Sequence, residues 1–515
     1  MSAAVGREPG AGLGAEASGT RARSGGAWLA RWWPLVALSL LAAVLRLSTL
    51  DLQSFWYDEA FTPVHVLHPS LWATLRSVVH TENTPPLWYV LAWADSRVLG
   101  TGEVALRLPS ALAGIATVPV AWAIGRELTG RRAAVVCAAL VAVNPLFVWY
   151  SQEARAYALF VLMGALAMLC FLRAQREPSP RRMLAFAVTG ALALLSHYFA
   201  VFLLIPMVLW LLYDRRTRRA ALGASAVLVL VGAALLPLIS AQGGHGTQWI
   251  GRWPLSERLE AIPQYFLTGY SGAPLGHGVE LLIALPILAG LALGLWRMSE
   301  PARERSRAGE HAVLVALSIA ACGVLIPIVL VAFGADYLAP RNLVAAMVPV
   351  TAVIAVLVVW PGPSTGLTTG FGVALAAIIA LAFLAVTLDV DLSPRLQRGD
   401  WRGLAKVLRA APPEHVLSTV ELGSAPLEYY LPGLHNLREG SFVRVREVDE
   451  TGYAPLRASA GQPPAPGFHL LARVNVNGLI VMRFVSPVAR VVSEASLRRH
   501  VITLATPEVL VPSGL

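Results

Sequence analysis

The sequence predicts a polytopic α-helical membrane protein that ends in a small extracytoplasmic α/β domain. Of its 515 residues, 56% are hydrophobic and 14% are charged, whereas a soluble globular protein carries about 25% charged residues. Apolar runs recur between residues 32 and 388, and many are long enough to cross a ~30 Å hydrocarbon core. Residues 391–515 carry more charge and alternate apolar with polar residues over short stretches, which is typical of a folded domain outside the bilayer.

The membrane part follows residues 1–31, which are rich in Gly, Ala, Ser and Arg and predict a disordered cytoplasmic tail. The first apolar run, 32–50, is followed by no small-residue cleavage site and therefore predicts an uncleaved anchor. Ten further apolar runs bring the prediction to eleven transmembrane helices within residues 32–390. These ten runs are 108–124, 133–150, 154–172, 183–196, 198–213, 220–241, 279–296, 312–333, 343–360 and 366–388.

The segment 85–99 is apolar but short, and it contains Asp95 and Arg97. It would reach only ~22 Å as a helix, so we expect an interfacial helix within the first outer loop, 51–107. The distribution of arginine supports this assignment. With eleven spans and a cytoplasmic N-terminus, the cytoplasmic segments hold 19 Arg and the outer segments 7, and an additional span at 85–99 would invert this bias.

Charge and composition exclude several other classes of protein. The net charge of +10 lies in short clusters between apolar runs, so it fits the positive-inside rule and requires no nucleic acid partner. Cys137, Cys170 and Cys322 lie inside apolar runs and are expected to be buried thiols. Arg46, one turn below the outer end of the first run, predicts a side chain that snorkels to the interface. No spacing of His, Cys and Asp matches a transition-metal site.

The C-terminal region, 391–515, predicts a small α/β domain on the outer face. Asp400, followed by Trp401, Leu404 and Leu408, predicts an N-capped amphipathic helix. Alternating stretches in the remainder predict strands. These predicted strands are 415–420, 469–475, 479–487 and 501–511.

Four clusters of polar residues fall on the predicted outer loops. In the first, Asp58 and Glu59 follow the aromatic Tyr57 at the membrane surface, where partial desolvation suits a carboxylate to general-base work. Two solvated acids beside an aromatic interface belt are the alternative. In the second, Glu153 and Arg155 precede an apolar helix, and ionisable groups that enter a bundle usually serve a function. A simple Glu–Arg pair is the alternative.

The third cluster is His197 and Tyr198, at the apex of a tight hairpin, where a hydrogen-bonded structural histidine is the alternative to a ligand. The fourth contains Tyr337 and Arg341. An arginine at a helix start, where backbone N–H groups are free, predicts an anion site, and a snorkelling side chain is the alternative. All four clusters converge on one side of the membrane, whereas a transporter would place its coupling charges near the midplane.

Five motifs in the first half of the chain resemble a known family. They are Tyr57-Asp58-Glu59-Ala60, Asn83-Thr84-Pro85-Pro86-Leu87-Trp88-Tyr89, Ala105-Leu106-Arg107-Leu108-Pro109-Ser110, Tyr150-Ser151-Gln152-Glu153-Ala154-Arg155-Ala156-Tyr157 and His197-Tyr198-Phe199. In this order they resemble the bacterial branch of the protein O-mannosyltransferases (family 39 glycosyltransferases) and are similar to the aminoarabinose lipid A transferases. The resemblance is dense over residues 40–215, weaker through 343, and nothing specific falls in the C-terminal domain. It implies the GT-C fold.

The resemblance implies roles position by position. Asp58 matches the acidic residue taken as the catalytic base, with Glu59 as its neighbour, and Glu153 matches the acidic position of the second outer loop. Many relatives carry His or Lys immediately before the Pro-Pro pair, where this chain has Thr84; Arg155, Arg341 or His197 must supply that charge, or the donor site differs. The donor-phosphate candidates are Arg155, Arg341, His197 and Tyr337, and the substrate-lining candidates are Tyr57, Pro85, Pro86, Tyr157 and Tyr198.

The implied function is transfer of a hexose, mannose in the first place, from a polyprenyl-phosphate donor to an acceptor hydroxyl. The reaction would take place on the outer face of the plasma membrane, with Asp58 as base and with inversion at the anomeric carbon. The expected partners are the lipid-linked donor, an acceptor protein, glycan or lipid, and membrane lipids. A divalent metal, Mg²⁺ or Mn²⁺, stays open as a cofactor, although two carboxylates alone make a poor Mg²⁺ site. The alternative function is a non-enzymatic transporter or flippase of lipid-linked sugars.

Overall fold

The computed structural model describes residues 16–513 except 245–246, 273–274, 300–303, 361–365, 410–414, 421–422, 501 and 504–506. The described residues between 16 and 392 form a helical bundle, and a sheet domain follows it. The helices of the bundle are α1 (Glu16–Leu47), α2 (Tyr57–Phe61), α3 (Leu71–Thr81), α4 (Leu87–Leu99), α5 (Glu103–Leu128), α6 (Arg131–Val143), α7 (Pro145–Ser151), α8 (Tyr157–Arg176), α9 (Pro180–Ser196), α10 (Ala200–Tyr213), α11 (Arg218–Gln242), α12 (Gln248–Arg252), α13 (Leu255–Gly272), α14 (His277–Ser299), α15 (Glu304–Ala332), α16 (Met347–Val358) and α17 (Gly366–Leu392). A π-helical turn, Thr62–Val66, follows α2, and a 3₁₀ turn, Pro340–Ala346, precedes α16.

Seven of the described helices are long and apolar enough to cross a membrane, or eight when the bent pair α6 and α7 counts as one span. Two shorter apolar helices, Trp32–Leu47 and Ala200–Tyr213, coincide with further predicted runs, and α9 coincides with the run 183–196. Each of the eleven predicted runs therefore overlaps a helix. The number of eleven spans and the cytoplasmic position of the N-terminus stay predictions.

The prediction of a disordered tail over residues 1–31 needs a correction. α1 begins at Glu16, so residues 16–31 continue the first apolar helix, while residues 1–15 lie outside the described residues. An apolar helix that has already formed removes the nucleation penalty for the residues before it, and Ala and Arg have high helix propensities. Segment 85–99 does contain a short helix, α4, and its position along the interface stays a prediction.

The first outer loop folds into short helical segments around one arginine of α5. Arg107 is fully buried, and its Nη1 donates to the carbonyl oxygens of Leu50 and Gln53, both at 2.7 Å. Its Nη2 donates to the carbonyl of Ser54 at 3.1 Å, and Nε and Nη2 donate to the two oxygens of Glu59 at 2.7 and 2.6 Å. These carbonyls belong to an irregular segment, so the guanidinium supplies the hydrogen bonds that regular secondary structure would otherwise provide. The start of α2 is thereby held against α5.

α6 and α7 are two halves of a helix that bends by 56°. Pro145 has no N–H, and the Asn144 side chain accepts the N–H groups of the following turn, so the carbonyls of Val141 and Ala142 lose their helical partners. Arg46 of α1 is fully buried and donates to these two carbonyls at 3.1 and 2.8 Å. The prediction that Arg46 snorkels is therefore wrong, because the bend creates acceptors for it inside the bundle.

The C-terminal domain is an α/β unit built on a six-stranded sheet with strand order β2-β6-β1-β3-β5-β4. β1 runs parallel to β3, and the other neighbouring pairs are antiparallel. Its elements are α18 (Trp401–Leu408), β1 (His415–Thr419), α19 (Ser424–Tyr430), β2 (Leu434–Asn436), β3 (Phe442–Tyr453), β4 (His469–Val476), β5 (Leu479–Ser493), α20 (Glu494–Arg499) and β6 (Glu508–Pro512). The predicted cap is confirmed, since Asp400 accepts the Gly403 N–H at 2.8 Å.

Three predicted strands correspond to β1, β4 and β5. The prediction 501–511 overlaps β6, but residues 501 and 504–506 lie outside the described part of the chain. The central strand β3 was not predicted. It carries the buried acids Glu447, Asp449 and Glu450, which pair with Arg483 and His500 on neighbouring elements. Charged residues are typical of solvated segments, and only their partners in the fold explain why this strand lies inside the sheet.

Candidate active site

Two of the predicted polar clusters meet in one ion pair. Arg341 Nη1 lies 2.6 Å from Asp58 Oδ2, although 283 residues separate them in the chain. The 3₁₀ turn Pro340–Ala346 places the arginine, and the first turn of α2 places the acid. The side chains are 23% and 18% exposed, so a ligand can reach the pair. The guanidinium also lies 5.0 Å from the ring centroid of Trp249 and 6.0 Å from that of Tyr157.

The second predicted acid, Glu153, has only one of its two oxygens paired. Arg398 Nη2 lies 3.2 Å from Glu153 Oε2, while Oε1 is buried and has no hydrogen-bond partner among the described residues. Burial raises the pKa of Glu153 to about 7; Arg398 opposes this rise, and the nearby Glu59 and Asp58 add to it. The carboxyl group therefore titrates close to neutral pH.

The first outer loop and the second, which connects α7 to α8, lie side by side at one end of the bundle. The Ala154 N–H donates to Glu59 Oε1 at 2.9 Å, which joins the second loop to α2. Between Asp58 and Glu153 the chain passes through α5 and then through the bent pair α6 and α7. One pass in each direction returns the chain to the same end, so the two predicted acids share one side of the bundle.

Glu59, predicted as a catalytic acid, has a different position. Its carboxylate is fully buried and is held by both Nε and Nη2 of Arg107, and Arg398 Nε lies 3.9 Å away. Burial by itself would raise its pKa, but Arg107 and Arg398 hold the pKa below the usual value of 4.5. Both oxygens are paired inside the protein and the side chain is fully buried, so the carboxylate is not accessible to a substrate. We therefore correct the assignment of Glu59 to a structural one.

Arg155 also has a partner that the sequence did not suggest. Its Nη1 and Nη2 lie 3.3 and 3.0 Å from the two oxygens of Glu82, and Nη1 lies 3.4 Å from the Asp58 carbonyl oxygen. Glu82 is buried, and it precedes Thr84, whose hydroxyl shares a hydrogen bond with the Tyr89 hydroxyl at 3.1 Å. The fork of Arg155 thus holds a carboxylate in this structure.

His197, a predicted phosphate ligand, is buried at the end of α9. Its ring stacks on Phe160 with centroids 4.7 Å apart, and Nδ1 accepts the Phe199 N–H at 3.2 Å. Burial, together with Arg341 and Arg155, lowers the pKa of His197 to about 3. The lowered pKa favours the neutral imidazole at physiological pH, which argues against His197 as the source of a positive charge.

The lining candidates separate into two groups. Tyr57 and Tyr157 lie beside the Asp58–Arg341 pair, and burial followed by the charge of Asp58 raises the pKa of Tyr57. Tyr198 instead donates its hydroxyl to Gln242 Oε1 at 2.7 Å.

Three other predicted residues lie at the edges of the site. Pro85 is buried and Pro86 immediately precedes α4, so both shape the chain before that helix. The Tyr337 side chain is half exposed, and its carbonyl accepts from Asn342 Nδ2 at 3.0 Å.

The chain is similar to known proteins in part of its sequence and in most of its fold. Residues 83–242 match the family described as dolichyl-phosphate-mannose-protein mannosyltransferase. ArnT from Cupriavidus metallidurans in the apo state is 14% identical over 90% of this chain and 98% of that chain, with a TM-score of 0.53. The same protein bound to undecaprenyl phosphate gives 12%, 87% and 97%, with a TM-score of 0.51. The archaeal oligosaccharyltransferase AglB from Archaeoglobus fulgidus is 17% identical over 78% of this chain and 60% of that one, with a TM-score of 0.46. No curated protein sequence matches the chain.

The chain has the GT-C fold. The predicted resemblance is confirmed, because the family match starts in the first outer loop and extends to the end of α11, while the likeness to ArnT covers most of the chain. The predicted class of enzyme, a glycosyltransferase, is confirmed with it. At these identities the solved structures show the fold alone, and the sugar and the acceptor belong to the proposal below.

Three residues of the candidate site were missed in the sequence. Glu82 lies only two positions before Thr84, and a buried acid next to a motif could have suggested a partner for Arg155. Gln242, at the end of α11, donates to the carbonyls of Val78 and Thr84. Arg398 lies in a segment with no motif, so no local signal could have found it.

The described residues contain no group of three or more His, Cys, Asp or Glu side chains arranged to hold a metal ion. A divalent metal cofactor, Mg²⁺ or Mn²⁺, therefore stays open, as it was from the sequence.

Proposed function

We propose that the protein transfers a hexose, mannose in the first place, from a polyprenyl monophosphate to an acceptor hydroxyl on the outer face of the plasma membrane. The observation that carries the proposal is the partly exposed Asp58–Arg341 pair, which puts a base and a permanent positive charge 2.6 Å apart. The family match of residues 83–242 supports the mannosyl donor, and the undecaprenyl phosphate bound to ArnT supports a lipid phosphate at this fold.

Arg341 is the best candidate to bind the donor phosphate. Glu82 holds Arg155 through both Nη atoms and leaves it only 12% exposed, and burial favours the neutral form of His197, so both are weaker candidates. Arg341 is 23% exposed, and it donates to Asp58 Oδ2 through Nη1. A guanidinium can bind phosphate oxygens through two parallel N–H groups. Arg341 would thereby supply the charge that relatives place immediately before the Pro-Pro pair.

Donor binding would also free the catalytic base. When the phosphate takes the guanidinium, Asp58 loses its partner and can accept the proton of the acceptor hydroxyl. The leaving phosphate has a second pKa of about 6, so it departs without a general acid and needs only charge stabilisation. One base and one direct displacement lead to inversion at the anomeric carbon.

The test is a transfer assay with the purified full-length protein in lipid nanodiscs. A panel of radiolabelled polyprenyl-phosphate sugars is supplied, and release of label from the lipid is followed together with the anomeric configuration of the product. We expect release from the mannosyl donor, and a loss of rate on the order of 10²–10⁴ for Asp58→Asn. The matched control is Asp51→Asn, an exposed acid of the same loop, which should keep the wild-type rate.

Asp58→Asn at near wild-type rate would remove Asp58 as the base. A product that retains the donor configuration would exclude single displacement. A protein that moves the intact lipid-linked sugar between leaflets of the nanodisc without releasing label would support the transporter alternative instead.

A further inference from the structure

The junction between α17 and α18 inserts a second arginine into the site. Arg398 is only 3% exposed, and its Nη2 lies 3.2 Å from Glu153 Oε2. The guanidinium carbon lies 4.0 Å from the ring centroid of Trp149 and 5.9 Å from that of Trp56. A charge buried to this extent is strongly penalised unless it is paired, so the carboxylate of Glu153 and the two indole faces define its position.

The backbone on both sides of Arg398 is fixed to the first outer loop. The Arg398 N–H donates to Gln53 Oε1 at 2.9 Å, and the Trp401 N–H donates to Ser54 Oγ at 2.9 Å. Ser54 Oγ in turn donates to the Gly399 carbonyl at 3.0 Å. These three hydrogen bonds hold the segment that carries Arg398 against the first outer loop.

We propose that Arg398 is a positioning residue for sugar transfer, which holds Glu153 by Oε2 so that Oε1 receives a hydroxyl of the sugar substrate. The inference rests on the proposed function. Glu153 Oε1 is buried without a partner among the described residues, which is costly unless a ligand supplies a hydrogen bond. A sugar hydroxyl is a donor of the required kind, and the Asp58–Arg341 pair, where the anomeric carbon would react, is close enough to influence the charge of Glu153.

The test measures the ionisation of Glu153 by infrared difference titration of the full-length protein, with Glu153→Gln identifying the carboxyl band. The charged and titratable groups around Glu153 are Arg398, Glu59, Asp58, Arg341, Tyr150, Tyr157 and Tyr270. Arg398 favours the ionised carboxylate, so Arg398→Gln should move the titration midpoint upward by about 1–3 pH units. The acid limb of the transfer rate should move upward with it, because Oε1 of the protonated carboxyl group no longer accepts a hydroxyl of the sugar.

The matched control is Arg402→Gln. Arg402, four residues further along the chain, also contacts the first outer loop, but it pairs with Glu103 at 2.8 Å and is 36% exposed. It should leave the Glu153 midpoint and the pH profile unchanged. If Arg398→Gln fails to fold, Arg398→Lys replaces it; lysine keeps the charge but lacks the planar fork, and we expect a smaller upward shift.

An unshifted midpoint in the folded Arg398 variant, or an equal shift in Arg402→Gln, overturns the inference. The infrared titration requires no sugar transfer, so it tests the contact between Arg398 and Glu153 even if the transfer assay finds no product. Conversely, an Arg398→Gln variant that transfers sugar with the wild-type pH profile overturns this inference and leaves the proposed function standing.

Discussion

At the residue scale, each acid of the site is defined by the arginine that holds it. Glu59 is held by Arg107 and Glu82 by Arg155. These two pairs are buried and satisfied, whereas the Asp58 pair is partly exposed and Glu153 keeps an unpaired oxygen. A carboxylate whose two oxygens both pair with a buried arginine shapes the loops. A carboxylate that is partly exposed or keeps an unpaired oxygen can act on a substrate.

The structural assignment of Glu59 predicts a large effect on stability. Glu59→Gln leaves Arg107 buried without a charged partner, which should cost about 3–5 kcal/mol. Thermal unfolding in detergent micelles measures it. The control is Glu177→Gln, an exposed acid paired with Arg182, which should change stability by at most about 1 kcal/mol. Equal midpoints for the two variants would contradict the buried-pair argument.

The same pair predicts how stability depends on pH. The folded-state pKa of Glu59 is lowered below 4.5, so its contribution is fully present above that value and is lost as pH falls through the folded pKa. Wild type should therefore lose more stability than Glu59→Gln on acidification below pH 4.5. Unfolding midpoints measured across this range check the sign, and parallel curves for the two proteins would contradict it.

At the element scale, the bend between α6 and α7 positions the second outer loop. The buried Arg46 reaches the freed carbonyls and also donates to Ser151 Oγ at 3.1 Å. This arrangement requires close approach of α5, where Gly114 leaves no space for a side chain. A Cβ at this position would lie 2.0 Å from Ser151 Oγ and 2.9 Å from Arg46 Nε.

Gly114→Ala should therefore destabilise the protein by about 1–3 kcal/mol through overpacking at the bend. The matched control is Gly232→Ala in α11, where a Cβ meets nothing within 4 Å. That variant should be stabilised by up to about 1 kcal/mol from helix propensity alone. Relative to wild type, the unfolding midpoints of the two variants should shift in opposite directions. Shifts in the same direction would count against the packing argument.

At the scale of the whole molecule, the C-terminal domain is docked on the first outer loop and belongs to the site's architecture. Ser54 both donates to and accepts from the junction, and the exposed rim adds the Arg402–Glu103 ion pair and a hydrogen bond between Tyr430 and Glu103. The predicted topology, with this domain and the site outside the cytoplasm, is testable directly.

Single-cysteine variants in a background without Cys137, Cys170 and Cys322 provide the topology test. A membrane-impermeant maleimide applied to intact spheroplasts should label Asp51→Cys and Phe442→Cys, but it should label Arg216→Cys only after permeabilisation. All three positions are exposed. Labelling of Arg216→Cys in intact spheroplasts would contradict the predicted orientation.

The sequence by itself determined the class of protein, the helical runs including the short helix α4, the motifs that contain Asp58 and Glu153, and the polar cluster that contains Arg341. Hydrophobic length and local motifs are properties of neighbouring residues, so one sequence reveals them. Buried charges in β3 are not such a property, because their partners lie on other elements, and the strand was missed for that reason.

Only the tertiary structure decided which charge pairs with which. Arg341 and Asp58 are separated by 283 residues in the chain, and Arg398 and Glu153 by 245. A local sequence pattern cannot reveal pairs that lie so far apart in the chain. Contacts with Arg107 likewise give Glu59 a structural role, and burial favours the neutral form of His197. A carboxylate or an imidazole acquires its charge state and its free hydrogen-bonding positions from its surroundings, and folding creates those surroundings.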